Sequence, residues 1–237
     1  MVFFIYNCYL NGVKVFKKIK FITGVFYPMS PKFSYPPSTY DKTIQQMLPN
    51  YIQFHDSVID LIQTYNPSPS KWLDAGCGTG TLASRLLPLF PRTTFVLADP
   101  SPEMLAAAEE KIKSKNITFI SCCSQELNFA DNTFDVITAI LCHHYLLKEE
   151  REKTIANCFK MLKPGGILVY FEHLRPFSDQ GKDIAFQRWH HYQTANGRSL
   201  EEAKQNTDRF DKEYFPITVT DHLDLLKKTG FSCAELL

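Results

Sequence analysis

The period of the apolar positions changes near residue 70. Between Tyr40 and Asn66, the residues Ile44, Met47, Leu48, Tyr51, Ile52, Val58, Ile59 and Ile62 recur at helical spacing. Pro49 divides that run into two helices, and Asn66-Pro67-Ser68-Pro69 ends it. Beyond it, short apolar runs alternate with longer amphipathic ones. Trp72 to Ala75, Thr94 to Ala98, Ile117 to Ser121, Phe134 to Ile140 and Ile167 to Glu172 read as strands. Thr81 to Leu89, Pro102 to Lys113 and Lys148 to Leu162 read as the helices between them, with Lys163-Pro164-Gly165-Gly166 stopping the last and turning the chain. Alternation of this kind predicts an α/β fold: a Rossmann-like, mostly parallel sheet with helices on both faces. After Glu172 the rhythm breaks. Residues from about 176 to 216 are polar, aromatic and helical in character, too long for a plain connection, and predict a helical lid after the fifth strand. A helix from Thr220 to Lys228 follows, with Gly230 past its end, and Leu237 lies in what reads as a strand.

The first 39 residues do not share this pattern and are expected to be a poorly ordered or atypical extension of a domain spanning 40–237. Met1 to Tyr40 contains no Asp or Glu, while Lys14, Lys17, Lys18 and Lys20 supply positive charge. The apolar run Val2 to Tyr6 has no basic segment before it, so a secretory signal fits poorly. An organelle transit peptide fits weakly, since arginine is absent; a plain extension, with Met29 as an alternative start, fits better. The Pro- and Ser-rich stretch from Pro28 to Ser38 predicts extended or mobile chain.

Composition narrows the functions. Of 237 residues, 44% are hydrophobic and 22% charged, enough for a packed core. A net charge of +1 provides no broad field for nucleic acid. No apolar run reaches the roughly 20 residues of a membrane span. The seven cysteines have neither a disulfide framework's spacing nor a C-x-x-C pair. Reduced thiols in a cytoplasmic protein, with no metal site, are the expectation.

The chemistry concentrates in Leu73-Asp74-Ala75-Gly76-Cys77-Gly78-Thr79-Gly80. An acid closes a short strand, and glycines then let the backbone turn and lie against a flat ligand. Asp99-Pro100 closes the second strand; a carboxylate there accepts two hydroxyls of a ribose. The loop from Cys122 to Phe129 closes the third. In open α/β sheets, ligands bind beyond these strand ends. The glycine spacing differs from the G-x-G-x-x-G of dinucleotide folds. Asp74 would suit a ligand's ammonium better than a pyrophosphate.

As a set, these residues resemble the class I S-adenosylmethionine-dependent methyltransferases, from about Tyr40 onward. Leu73 to Gly80 looks like their first motif, and Ala98-Asp99-Pro100-Ser101-Pro102-Glu103-Met104-Leu105 like the second. Asn132-Thr133-Phe134-Asp135-Val136-Ile137 looks like the fourth-strand signature, and Leu162 to Gly166 like the turn before the fifth strand. The resemblance implies S-adenosyl-L-methionine as cofactor, held by Asp74, Gly76, Gly78, Gly80, Asp99, Pro100, Met104, Cys123, Ser124 and Ala139. Similarity extends to the branch of carboxy-S-adenosylmethionine synthases through Tyr40-Asp41, Pro49-Asn50-Tyr51, Arg188-Trp189 and Tyr214-Phe215-Pro216. There are two departures. Cys123 and Ser124 stand where family members often carry an acid for the adenine amino group. The last strand of the family's usual seven is expected to be absent, leaving a sheet edge unpaired.

The resemblance implies in-line methyl transfer to a small-molecule or tRNA acceptor, which needs positioning more than a dedicated acid–base pair. The alternatives are a carboxy-S-adenosylmethionine-type synthase and an inactive cofactor-binding module. His143 and His144 are candidate bases, with packing as the plainer role. Glu172, Trp189, Tyr192 and Arg209 are candidate substrate contacts: a carboxylate, two stacking rings and an anion-binding guanidinium.

Overall fold

The structure is a computed structural model that describes residues 35–236 and the backbone strand at 2–8. Six strands form one sheet. They are β1 (Val2–Cys8), β2 (Lys71–Ala75), β3 (Thr94–Asp99), β4 (Ile117–Ser121), β5 (Phe134–Ile140) and β6 (Leu162–His173), in spatial order β1-β6-β5-β2-β3-β4. Strands β2 to β6 run parallel. The helices are α1 (Pro37–Met47), α2 (Tyr51–Tyr65), α3 (Thr81–Leu86), α4 (Pro102–Lys111), α5 (Lys148–Met161), α6 (Asp179–Ala195), α7 (Leu200–Asp208) and α8 (Val219–Thr229).

Period-two alternation splits the core in two, as a sheet covered on both faces requires. Trp72, Phe95, Leu97, Val136, Ile167, Val169 and Phe171 pack toward α2 and α3, against Phe54, Val58, Ile62 and Leu86. Their neighbours Leu73, Val96, Ala98, Ile137, Ala139, Leu168 and Tyr170 pack the other way, against Ile155, Cys158 and Met161 of α5 and Leu226 of α8.

Three expectations are corrected. The outer edge of β6 is paired: β1 adds to it antiparallel, from Val2 opposite His173 to Cys8 opposite Ile167. The leader from residue 1 to 39 therefore supplies a strand of the sheet, and its end falls inside α1, whose Pro37 opens the helix. The stretch from Pro28 to Ser38 lies mostly outside the described residues. Lys163 to Gly166 makes no separate turn. Leu162 pairs with Phe134 and Ile167 with Val136, so those residues are taken up as a bulge within β6, with Gly165 at φ +78°. Leu237, expected in a strand, lies outside the described residues.

The lid region is helical as expected, being α6 and α7. Ser178 caps α6 by accepting the Gly181 N–H, and Ser199 and Glu202 form a capping box on α7. Along the 17 residues of α6 only Gln193 is buried. Its partly buried Trp189 and Tyr192 donate to the Met47 and Gln45 carbonyls of α1, at 2.7 and 2.8 Å.

Candidate functional site

The chain order reverses between β2 and β5, and a cavity of about 360 Å³ opens beyond the strand ends there. Its floor is the loop after β2. The Gly76 and Cys77 N–H groups donate to the Ala98 carbonyl at 2.7 and 2.9 Å, drawing the loop against β3. Gly78 has φ +54°, and a Cβ added to it would meet nothing nearer than Tyr40 Cε1 at 3.9 Å. Its missing side chain leaves ligand space.

Asp99, at the end of β3, is 3% exposed and faces the cavity. One carboxylate oxygen accepts the Gly78 N–H and the other the Ser101 N–H, both at 2.9 Å. Burial raises its pKa, and these two hydrogen bonds work against the rise. Each oxygen keeps a lone pair for a ligand hydroxyl. Ser101 also caps α4 by accepting the Met104 N–H, with Pro102 at the first helical position. That cap brings Pro100 and Met104 to the wall.

Asp74 lies beside this cavity, in a smaller recess shared with Tyr51, His55 and Thr81. It is 2% exposed and accepts from Thr138 Oγ1 at 2.7 Å, and Thr138 in turn accepts from the Trp72 indole at 3.0 Å. Burial lifts its carboxyl to about 7. A buried carboxylate without a cationic partner favours a ligand that brings one.

Among the expected cofactor residues, Gly76, Gly78, Asp99, Pro100, Met104, Cys123 and Ser124 line the main cavity, and Asp74 lines the recess. Gly80 and Ala139 line neither. A Cβ on Gly80 would lie 2.7 Å from Ile112 Cδ1, so that glycine packs the loop onto α4. Ala139 points to the α5 face because alternation along β5 sends Ile140, not Ala139, to the cavity.

The candidate substrate residues separate. Arg209 lines the cavity. Its guanidinium stacks on Tyr214 with 4.4 Å to the ring centroid, and its Nε donates to Glu213 at 2.8 Å. Trp189 and Tyr192 instead face a second cavity of about 300 Å³ between α2 and α6, together with Phe54 and His173. His143 and His144 do not line the main cavity. They are 0% and 2% exposed, and burial pushes them down to about 4 and about 3, leaving both neutral. Glu172 is equally buried; its oxygens accept the His143 N–H and meet His144 Nδ1, each at 2.8 Å. Its partner is this turn and not the lid.

Several lining residues escaped sequence reasoning. Tyr35, Tyr40, Ile44 and Met47 form a roof from the start of the described chain and α1, and Tyr145 and Tyr214 form the far wall. The helical pattern located α1 but not which of its faces covers the site. Among the described residues, no cluster of His, Cys, Asp or Glu could hold a metal, and no helix is long and apolar enough to cross a membrane.

The residues fit an adenosyl sulfonium cofactor: a doubly supported carboxylate for a sugar diol, an open glycine cradle, and a buried acid for an ammonium group. Known proteins agree. A family described as a methyltransferase domain matches residues 73–166. The carboxy-S-adenosyl-L-methionine synthase of Staphylococcus epidermidis is 26% identical over 193 residues, covering 81% of this chain and 84% of that one. The plantazolicin methyltransferase BpumL, solved with S-adenosylhomocysteine, superposes with a TM-score of 0.61 at 17% identity, over 81% of this chain and 67% of that one. The YcgJ protein of Bacillus subtilis superposes at 0.58 and 17% identity, over 76% and 68%. Motif and relatives converge on one stretch: residues 73–166 of this chain match a methyltransferase domain, and the chain as a whole is similar to S-adenosyl-L-methionine-using enzymes.

Proposed function

We propose that this protein is an S-adenosyl-L-methionine-using enzyme whose second ligand is a small carboxylate held by Arg209. The observation that carries the reading is the place of Arg209. It lines the same cavity as Asp99, is braced by the Tyr214 ring and Glu213, and reaches the Tyr145 hydroxyl on the cavity wall, where a guanidinium's five N–H donors are more than these two partners use. Gly78 and Asp99 would hold the adenosine, Asp74 the ammonium group, and the ring of Tyr40 would close over the loop. Pro100, Met104, Cys123 and Ser124 would surround the base, with Gln125 able to serve an adenine amino group where the family often has an acid. When bound, the cofactor supplies an electrophilic methyl on a sulfonium that leaves as a thioether. The protein's own part is orientation and exclusion of water, which an apolar roof and a preformed wall provide.

Two reactions use such a site. Carboxy-S-adenosylmethionine synthesis is favoured by Arg209 together with the relatives of that name. Methyl transfer to a small acceptor is favoured by the methyltransferase family match and by the aromatic lining. A cavity at the lower end of ordinary ligand pockets suits a small molecule; tRNA as acceptor gains no support from a net charge of +1. An inactive cofactor-binding module is the third outcome.

The test is mass spectrometry of the nucleoside product after incubation with S-adenosylmethionine and a panel of small carboxylic acids. A carboxylated sulfonium identifies the first reaction, and S-adenosylhomocysteine with a methylated acid the second. Absence of both, with cofactor binding intact, overturns the proposal. Asp99→Ala is expected to weaken cofactor binding by about 1–3 kcal/mol in calorimetric titration. Unchanged affinity would remove the ribose role.

A further inference from the structure

Behind the cavity lies a buried polar bracket with no place in the cofactor cradle. Arg151 of α5 and Glu172 of β6 are 3% and 1% exposed, and neither lines the cavity. Glu172 grips the turn at residues 143–145 through the His143 N–H and His144 Nδ1. Arg151 Nη2 donates to the His143 carbonyl at 3.1 Å and to the Phe215 carbonyl at 2.6 Å. The Phe215 N–H donates to the His144 carbonyl at 2.7 Å. Two segments 70 residues apart in sequence are thus joined: the turn that ends in Tyr145, and the strap from Arg209 to Phe215.

The cavity faces of those segments meet. The Tyr145 and Tyr214 rings lie 5.4 Å apart, the His144 ring packs on both, and the Arg209 guanidinium sits beside the Tyr145 hydroxyl. Within the strap, the Arg209 carbonyl accepts the Lys212, Glu213 and Tyr214 N–H groups, so the strap holds its own shape. What it needs is docking. Arg175 anchors one side, donating to the Pro216 carbonyl at 3.0 Å and pairing with Asp211. Arg151 and His144 anchor the side nearer the cavity.

We infer that Arg151 and Glu172 are positioning residues that hold Tyr145, Tyr214 and Arg209 together as a preformed anion-accepting wall opposite the glycine cradle. Buried charged groups with fixed hydrogen bonds specify one geometry where apolar contacts would allow several. The inference rests on the carboxylate reading of Arg209, but the bracket itself is testable without it.

The experiment uses the full chain with Arg151→Lys, Glu172→Leu and Glu172→Gln, and two probes in calorimetric titration: S-adenosylmethionine and carboxy-S-adenosylmethionine. Hydrogen exchange of the strap is measured alongside. The expected result is that Arg151→Lys and Glu172→Leu keep S-adenosylmethionine affinity within about twofold, while preference for the carboxylated probe falls at least tenfold and exchange of residues 209–216 rises. Glu172→Gln, whose amide oxygen still accepts the His143 N–H, restores part of both. A role in general stability alone would shift both affinities together and leave the preference unchanged; that result, or unaltered exchange in folded variants, overturns the inference. If the wild type shows no preference, the carboxylate reading fails, and exchange of the strap alone decides the bracket. If the core variants do not fold, Phe215→Pro, which removes the strap's N–H to His144 together with the Phe215 ring, is compared with Phe215→Ala, which removes the ring alone, and exchange of the strap and probe preference that differ between the two carry the same test.

Discussion

Gly78 and Gly80 share a left-handed backbone but not a reason for being glycine. At Gly80 an added Cβ would press on Ile112 Cδ1 at 2.7 Å and Ala108 Cβ at 3.0 Å, inside the protein. At Gly78 it would enter the cavity. Both alanine variants bear a left-handed cost of about 1–2 kcal/mol. Gly80→Ala should lose about a further 1–3 kcal/mol by overpacking. Gly78→Ala should spare stability in comparison and lose cofactor affinity instead. Urea unfolding and calorimetric titration of the two proteins separate these effects. Normal binding by Gly78→Ala would show that the loop is not the cradle.

At the scale of elements, the roof is tied to the floor at one point. Asp41 of α1 accepts from Thr79 of the glycine loop and from Thr81 at the start of α3, and pairs with Lys111 at the end of α4. Burial alone would raise its pKa, but hydrogen bonds from Lys111, Thr79 and Thr81 outweigh that and hold it below the usual range. The Lys111 pair is partly exposed, so Asp41→Ala should cost no more than about 1 kcal/mol of stability. Its effect should fall on ligand exchange, because α1 carries Tyr40, Ile44 and Met47 over the cavity. Stopped-flow release of S-adenosylhomocysteine should be several-fold faster in the variant and, in the wild type, faster at high salt. Equal release rates would mean that α1 does not gate the site.

For the molecule as a whole, buried titratable groups set the pH response. Burial, as the chief cause, lowers His55 and His143 to about 4 and His144 and His222 to about 3. It raises Asp74 and Glu172 to about 7. At about pH 5, the unfolded chain carries protons on these four imidazoles, and on His173, which burial also holds well below its ordinary value, that the folded chain leaves bare, given an ordinary value near 6.5. The folded chain holds protons on two carboxyls that the unfolded chain has released. The imidazoles prevail, so the unfolded state binds more protons and stability rises with pH from about 4.5 to about 6.5, by on the order of 1–3 kcal/mol per unit. Above that range the imidazole contribution levels off. Near pH 7 the imidazole and carboxyl contributions balance, and above it the last protons leaving the two carboxyls make stability decline slightly. Denaturant unfolding across this range should show the maximum; a monotonic fall from pH 4.5 would contradict these burials.

Local chemistry determined much of this in advance. Apolar period gave the five parallel strands and the helices between them, because a strand buried on both faces and a helix buried on one leave different marks in the chain. The glycine loop and Asp99 were legible for a similar reason: their roles depend on backbone geometry and on an acid a fixed distance along the chain. Tertiary structure alone decided the rest. β1 caps the β6 edge, since nothing in Val2 to Cys8 names its partner strand. His143, His144 and Glu172 read like cavity chemistry but point into the protein. Trp189 and Tyr192 face a second cavity, while Arg209 lines the same cavity as Asp99, 110 residues away. Which face of an element meets solvent, cavity or core is fixed by what packs on it, and those contacts join parts of the chain that no local pattern relates.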